Sequence, residues 1–241
     1  MITRSASSRA IRGQPPISFS TTASNANEIA KLRWRMNNET DFALGAVILA
    51  AGASTRMGRP KMLLPWRGTS ILGHTIQQWQ ALAAQTAVVC AGETHPVWSE
   101  LEALEVPRDG RIVNPHPELG MFESIRSAAR WNGWKERLTH WALILGDQPH
   151  VRTGTLRRLV EFAQAHSKQL CQPFQGGHRH HPVFLPKEAF LQLGETEATT
   201  LKSFLEPLRP GTALCEIDDP GIALDLDRPE DYREAQKRYE Q

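Results

Sequence analysis

Residues 46–64 read AVILAAGASTRMGRPKMLL and mark the start of the main sheet. The run from Ala46 to Ala50 is continuously apolar and is followed by Gly52, a pattern typical of a strand that is buried on both faces. A polar loop follows this strand at once. Because ligands in open α/β sheets bind beyond the carboxyl ends of the strands, the pattern predicts a ligand site in this loop.

The loop combines two glycines with cations that suit an anionic ligand. Gly52 and Gly58 permit close approach of the backbone, so that amide N–H groups point at an anion. Arg56 offers a fork of donors to phosphate oxygens, while Lys61 supplies a compact charge. The spacing matches neither GxxxxGK[ST] nor GxGxxG, which excludes the P-loop and the dinucleotide-binding fingerprint.

Short apolar runs and helical periods alternate along the rest of the chain. They predict helices at 70–84, 121–131, 155–165, 198–205 and 229–239, and strands at 87–91, 141–145, 170–173 and 182–185. A strand, a helix and a second strand in succession favour a parallel sheet. We therefore expect residues 41–241 to form one α/β domain.

The first 35 residues differ in composition from the remainder. They carry a net charge of +5, which leaves −3 on the rest of the chain, so a negatively charged ligand there would need local cations or a metal. We expect residues 1–40 to be a disordered basic tail. Two alternatives stay open, namely a transit peptide, because the segment is rich in Arg and Ser, and a true start at Met36.

Several classes of protein are excluded by composition. The cysteines at positions 90, 171 and 215 are odd in number and far apart, which matches neither a disulfide framework nor a CxxC site. We expect them to be reduced core thiols of a cytoplasmic protein. No apolar run approaches the roughly 18–20 residues of a membrane span. We expect neither a membrane nor a nucleic acid as partner, since only the N-terminal arginines hint at the latter.

The ordered string Leu-Ala-Ala-Gly-x-Ser-x-Arg-Met-Gly at 49–58, followed by Lys61 and Leu-Leu-Pro, resembles the signature loop of the MobA-like nucleotidyltransferase superfamily. Within it, the chain is most similar to the molybdenum cofactor cytidylyltransferases. Three further segments carry the resemblance, which extends from residue 46 to about residue 235. They are Asn114 with Gly120, Met121 and Ser124; Leu-Gly-Asp-Gln-Pro at 145–149; and Asp-Leu-Asp-Arg-Pro-Glu-Asp at 225–231, where Arg228 replaces the usual Thr.

The resemblance implies a Rossmann-like three-layer α/β fold with a mostly parallel mixed sheet. It implies Mg²⁺-dependent transfer of CMP from CTP to a phosphorylated acceptor, molybdopterin or the molybdenum cofactor, with release of pyrophosphate. Transient contact with a molybdoenzyme or its chaperone would follow. Two alternatives stay open: a GTP-using guanylyltransferase of the same cofactor, and a nucleotide- or cofactor-binding protein without turnover. Leu-Ala-Ala-Gly favours CTP, because the guanylyl branch usually has Gly at the position of Ala51.

The resemblance also assigns site residues in four groups. The catalytic residues are Arg56, Lys61 and Asp147. The nucleotide-binding residues are Leu49, Ala50, Ala51, Gly52, Ser54, Arg56, Gly58, Lys61, Asn114 and Gly120. The substrate-binding residues are Ser124, Gln148, Arg179, His181 and Pro182. The Mg²⁺ ligands are Asp147 and Asp227, with Asp225 as the other candidate.

Each carboxylate also has a structural interpretation. Asp147 follows an apolar strand and belongs at the carboxyl edge of the sheet, but an ordinary turn has the same pattern. Asp227 precedes Arg-Pro-Glu, which also makes a good helix N-terminus.

Two segments depart from the family pattern on the substrate side. In the segment 177–183, His180 replaces the usual Gly, and three histidines fall within four positions. Zinc is the alternative there, but no cysteine or fourth ligand is nearby, so a substrate-facing loop is favoured. The segment 194–200 lacks the Arg that usually ends Gly-Asp-x-Gly-Ala-Arg. Both departures bear on the identity of the acceptor rather than on the chemistry.

Overall fold

The structure is a computed structural model and describes residues 42–52, 57–58 and 60–239. The expectations of a disordered tail and of a start at Met36 lie outside these residues, and so do Ser54 and Arg56. The strands are β1 (Leu44–Leu49), β2 (Pro65–Trp66), β3 (Thr69–Ser70), β4 (Gln85–Cys90), β5 (Arg111–Val113), β6 (His140–Leu145), β7 (Cys171–Gln175), β8 (His178–Arg179), β9 (Val183–Pro186) and β10 (Ala213–Glu216). The α-helices are α1 (Ile71–Gln80), α2 (Pro96–Ala103), α3 (Met121–Arg130), α4 (Thr153–Ala165), α5 (Lys187–Glu195), α6 (Leu201–Leu205) and α7 (Pro229–Tyr239).

The main sheet has the strand order β10-β7-β9-β6-β1-β4-β5, with β8 paired to β7. Strand β1 is parallel to both neighbours, β4 and β6, and β5 continues the parallel set beyond β4. Strand β9 runs antiparallel to β6 and β7, so the sheet is mixed but mostly parallel. Strands β2 and β3 form a separate small hairpin. The mostly parallel mixed sheet predicted from the sequence is confirmed.

Helices cover both faces of this sheet and complete a three-layer fold. Along β1, Ala46 and Ile48 join one hydrophobic cluster, while Val47 and Leu49 join the other. The first cluster includes apolar side chains of α1, α2, α4 and α7, and the second includes those of α3, α5 and α6. Burial on both faces explains why β1 reads as an unbroken apolar run. The predicted α/β fold class is confirmed.

The three cysteines are free and buried, as expected for core thiols. Within the described residues, no helix has the length and apolar character that crossing a membrane requires.

Some predicted element boundaries are wrong. The helix predicted at 70–84 ends at Gln80, because Ala84 already donates its N–H to Leu44 and leads into β4. The helix predicted at 198–205 begins only at Leu201, because Thr200 and Ser203 form a capping box that sets its start. The sequence patterns missed seven short elements altogether, namely the helices α2 and α5 and the strands β2, β3, β5, β8 and β10.

Candidate active site

The centre of the sheet contains a topological switch point. The chain passes from β1 to β4 on one side, whereas β6 pairs with the other side of β1. Leu49 and Leu145 are register partners at the carboxyl ends of β1 and β6, so the two following loops leave the sheet side by side. This is the place where open α/β sheets bind ligands.

A close backbone approach joins these two loops. The N–H of Gly146 donates to the carbonyl of Leu49 at 3.1 Å. A Cβ atom at position 146 would lie 2.8 Å from that carbonyl oxygen and 3.1 Å from Cε of Met62. The glycine therefore permits the contact that positions Asp147, the next residue.

Lys61 is brought to the same place from the signature loop. It begins a short 3-10 turn, Lys61–Leu63, which is anchored by the buried side chain of Met62. The Nζ atom of Lys61 lies 2.5 Å from Oδ2 of Asp147 and 3.0 Å from Oδ1 of Asp227. The same Nζ donates to the carbonyl of Leu226 at 3.4 Å. One ammonium group thus links the loops after β1 and β6 to the C-terminal segment.

Packing of α7 holds Asp227 at the site. Leu226 is fully buried, and the hydroxyl of Tyr232 donates to the carbonyl of Pro65 at 2.6 Å. The N–H of Arg228 donates to Asp231 at 2.8 Å, which closes the start of α7. The carboxylate of Asp227 is ion-paired with Lys61, so this residue does more than begin a helix.

The carboxylates keep Lys61 charged. Burial alone would lower the pKa of Lys61, but the charge and hydrogen bond of Asp147, followed by those of Asp227, raise the pKa above its ordinary value. Desolvation, followed by the negative charges of Asp147 and Asp227, raises the pKa of Asp225. Three carboxylates therefore share one region with one described ammonium group, and the local charge is negative.

These groups border a cavity of about 410 Å³, called the first cavity below. Its lining combines apolar residues, three charged residues, and residues of the loop after β1 and of the start of α3. The lining residues are Leu49, Ala51, Gly52, Met57, Lys61, Met62, Pro117, Gly120, Met121, Ser124, Leu145, Asp147 and Asp227. Gly120 has φ +89°, a backbone conformation that favours glycine, and it begins α3 at the edge of this cavity.

Asn114 does not line the first cavity but holds Ser124, a residue that does. Its side chain is fully buried, and Nδ2 donates to the hydroxyl of Ser124 at 3.0 Å. Its Oδ1 accepts from the N–H of His116 at 2.8 Å. These bonds tie the end of β5 to the first turn of α3. Asn114 is therefore a positioning residue in this structure, while Ser124 lines the cavity.

A second cavity of about 550 Å³ adjoins the first, and Met121 lines both. The lining residues of this second cavity are Met121, Gln172, Phe174, Gly177, His178, Arg179, His180, His181, Val183, Leu201, Lys202, Leu205 and Arg209. Nδ1 of His181 lies 3.1 Å from the carbonyl of Leu143, so this nitrogen carries the proton. Burial lowers the pKa of His181, which keeps the ring neutral near pH 7.

The predicted site residues fall into four sets. Leu49, Ala51, Gly52, Lys61, Gly120, Ser124, Asp147 and Asp227 line the first cavity. Arg179 and His181 line the second cavity. Ala50, Gly58, Asn114, Gln148, Pro182 and Asp225 line neither, and Ala50, Asn114 and Pro182 are buried. Ser54 and Arg56 are outside the described residues.

Sequence reasoning missed several residues that line the two cavities. Met57 and Met121 belong to the motifs quoted above but were not assigned to the site. Met62 gives no chemical signal in the sequence, because apolar residues are expected in any core. Lys202 and Arg209 in the second cavity follow the segment whose missing arginine the sequence did reveal. In the sequence, the arginine missing from the segment 194–200 was the signal that pointed to this region of the chain.

The donor set at Asp147 and Asp227 fits a hard divalent cation. Oδ2 of Asp147 and Oδ1 of Asp227 both contact Nζ of Lys61, so one oxygen of each carboxylate lies in the same small region of the first cavity. Mg²⁺ commonly takes one or two carboxylates and completes its shell with water and phosphate oxygens. Over the residues that the structure describes, no three His, Cys, Asp or Glu side chains lie together as a metal site.

The family model described as a MobA-like NTP transferase domain matches residues 46–212. The molybdenum cofactor cytidylyltransferase of Escherichia coli strain K12 is 26% identical over 201 residues, which span 82% of this chain and 97% of that protein.

Two solved structures are similar to this chain over most of its length. Rv0371c from Mycobacterium tuberculosis H37Rv matches with a TM-score of 0.61 and 28% identity, covering 82% of this chain and 100% of that chain. A complex of Rv0371c with manganese matches with a TM-score of 0.59 and 27% identity, covering 81% of this chain and 98% of that one.

Proposed function

This chain is a nucleotidyltransferase of the MobA-like NTP transferase family, as the sequence motifs predicted, and we propose that it transfers CMP from CTP to a phosphorylated pterin, molybdopterin or its molybdenum form. The observation that carries the proposal is the convergence of Lys61, Asp147 and Asp227 in one cavity at the switch point of the sheet. Pyrophosphate is the second product.

The first cavity is the proposed nucleotide site. Backbone groups of Ala51 and Gly52 border it, and the N-terminal turn of α3 at Gly120 presents N–H groups that favour a negative ligand. The described charged residues of its lining are Lys61, Asp147 and Asp227, whose sum is negative. A triphosphate therefore needs further positive charge, for which we propose a metal ion and Arg56.

Asp147 and Asp227 are the proposed ligands of Mg²⁺. When bound, Mg²⁺ would neutralise and orient the α- and β-phosphates. Asp227 is favoured over Asp225 because Asp227 lines the first cavity and contacts Lys61. The structure of Rv0371c in complex with manganese, to which this chain is similar, supports a divalent metal at the proposed site.

The proposed reaction needs positioning and charge neutralisation more than covalent chemistry by the protein. A phosphate oxygen of the acceptor forms a bond to the α-phosphorus of CTP, and the bond from that phosphorus to the bridging oxygen of the β-phosphate breaks. The electron pair leaves with pyrophosphate. Lys61, kept cationic by its two carboxylate partners, stabilises this departing charge.

Two observations support CTP as the nucleotide. Ala51 lines the first cavity, and the family pattern associates Ala at this position with the cytidylyl branch. The Escherichia coli relative, which this chain matches over 97% of its length, is named a cytidylyltransferase.

A pyrophosphate-release assay tests the proposal. The full chain is incubated with Mg²⁺, molybdopterin and, in turn, CTP, GTP, ATP or UTP. We expect release with CTP well above release with the other three nucleotides. Consumption of GTP alone would overturn the choice of base. Nucleotide binding without release, in the presence of molybdopterin and of its molybdenum form, would overturn the proposed acceptor.

A further inference from the structure

The second cavity differs sharply in charge from the first. Its charged lining residues are Arg179, Lys202 and Arg209, and no Asp or Glu lies among the described residues that line it. The first cavity holds two carboxylates and one ammonium group in its described lining. Met121 belongs to both linings, so a cavity with negative charge and a cavity with positive charge meet at this side chain.

The positive charge comes from an unexpected part of the chain. The segment 194–200 lacks the arginine of the family pattern, and its backbone is held on α3 instead. The carbonyls of Gly194 and Thr196 accept from Arg130 at 2.7 Å and from Arg126 at 3.0 Å. None of the residues 194–200 lines the second cavity. The next turns of the chain do, through Lys202 in α6 and Arg209 after it.

The three cations of the second cavity differ in whether they already pair with a carboxylate. Among the described residues, neither Arg179 nor Lys202 has an ion-pair partner. Arg209 pairs with Glu206, the Nε to Oε2 distance being 3.0 Å, but both side chains are about half exposed. An exposed pair of this kind is weak, so Arg209 remains available to a more strongly charged ligand.

We propose that Lys202 and Arg209, with Arg179, bind the anionic phosphate of the acceptor and so replace the missing arginine of the segment 194–200. This inference rests on the proposed function, because it names the site for the second substrate. Positive charge is needed there because an acceptor phosphate that approaches a triphosphate meets strong like-charge repulsion. Cations beside the approach path reduce that repulsion without entering the nucleotide site.

The main test uses the double variant Lys202→Gln with Arg209→Gln. Both residues are exposed, so folding is preserved. The matched control is Lys168→Gln with Lys187→Gln, which removes the same charge from exposed residues outside both cavities. We expect the double variant to raise KM for molybdopterin at least about tenfold, as loss of charged hydrogen bonds does, while KM for CTP stays within about twofold. The control should match the wild type. A rise in KM for CTP instead would overturn the inference.

A binding experiment separates failure of this inference from failure of the proposed function. Inorganic phosphate is titrated into the wild type, the double variant and the control by calorimetry, with CMP present to occupy the first cavity. We expect weaker binding only in the double variant. The opposite change is expected from Glu206→Gln, which removes the partner of Arg209 and should tighten phosphate binding.

The outcomes are distinct. If the wild type does not consume CTP but the double variant binds phosphate more weakly than the wild type, CMP transfer from CTP is wrong and the anion site is supported. If phosphate binds equally to the wild type and the double variant, the anion site is overturned whatever the activity.

Discussion

Nζ of Lys61 lies 2.5 Å from Oδ2 of Asp147, although Lys61 follows β1 and Asp147 follows β6. The parallel register of these strands brings the two loops together, and the close contact between Leu49 and Gly146 sets their spacing. The pair has a mutual effect. The carboxylate raises the pKa of the lysine, and the ammonium group holds the carboxylate at the edge of the first cavity.

Replacement of Lys61 by alanine should reduce activity far more than stability. The charge that faces the leaving pyrophosphate disappears, and loss of one such electrostatic contact typically costs about 10²–10³ in kcat. The effect on the free energy of unfolding should be about 1–2 kcal/mol, below that of a fully buried pair, because Asp227 is 42% exposed. Pyrophosphate release and urea unfolding measure the two effects. Lys168→Ala serves as the control, and a normal kcat in Lys61→Ala would contradict the assigned role.

The two neighbouring carboxylates should differ in their effect on metal dependence. Asp227→Asn removes a charged oxygen from the first cavity and should raise the Mg²⁺ concentration for half-maximal rate about tenfold or more. Asp225→Asn changes a residue outside both cavities and should shift that concentration by less than about threefold. A magnesium titration of the steady-state rate compares the two variants. If Asp225→Asn shifted the half-maximal Mg²⁺ concentration more than Asp227→Asn does, Asp225 would replace Asp227 as the proposed ligand.

Gly146→Ala should damage both the fold and the site. The new Cβ would lie 2.8 Å from the Leu49 carbonyl, so β1 and β6 must separate at the point that carries Asp147. Such overpacking typically costs about 1–3 kcal/mol. Gly154→Ala is the matched control, because nothing lies within 4 Å of its added Cβ in α4, and it should be neutral or slightly stabilising. Equal unfolding midpoints for the two variants in urea would show that the contact at position 146 relaxes freely.

The fold was largely predictable because its central strands are buried on both faces. The run at 46–50 and the run before Asp147 stand out from any polar surroundings, and their carboxyl ends indicate the site. The helix at Pro229 was also predictable, since proline is favoured in the first turn. Short elements such as α5 were missed, because a helix of nine residues completes too few turns to show a clear helical period.

The details of the site depend on long-range packing that no local pattern encodes. The contact of Asp227 with Lys61 requires α7 to fold back, through Tyr232, onto the carbonyl of Pro65. Lys202 could not be predicted as a site residue for another reason. A lysine on a short exposed helix has the same pattern whether it faces a ligand or plain solvent. Its role emerges only from the cavity that it borders.

Stability should fall as the pH decreases below about 6.5, because histidines are buried in their neutral form. Burial lowers the pKa of both His140 and His150 below 6.5. Below pH 6.5 the unfolded chain takes up protons that the folded chain refuses, so acid favours unfolding, whereas above about pH 7.5 both states are neutral and the effect vanishes.

Replacement of one buried histidine, His140, isolates this effect. Nε2 of His140 donates to the carbonyl of Ser167 at 2.7 Å, and a glutamine amide offers a donor in its place. The difference between urea midpoints at pH 7.5 and pH 5.5 should therefore be smaller in His140→Gln than in the wild type. His178→Gln, at an exposed position, should leave the difference unchanged. An identical loss of stability in all three proteins would assign the acid sensitivity to other groups.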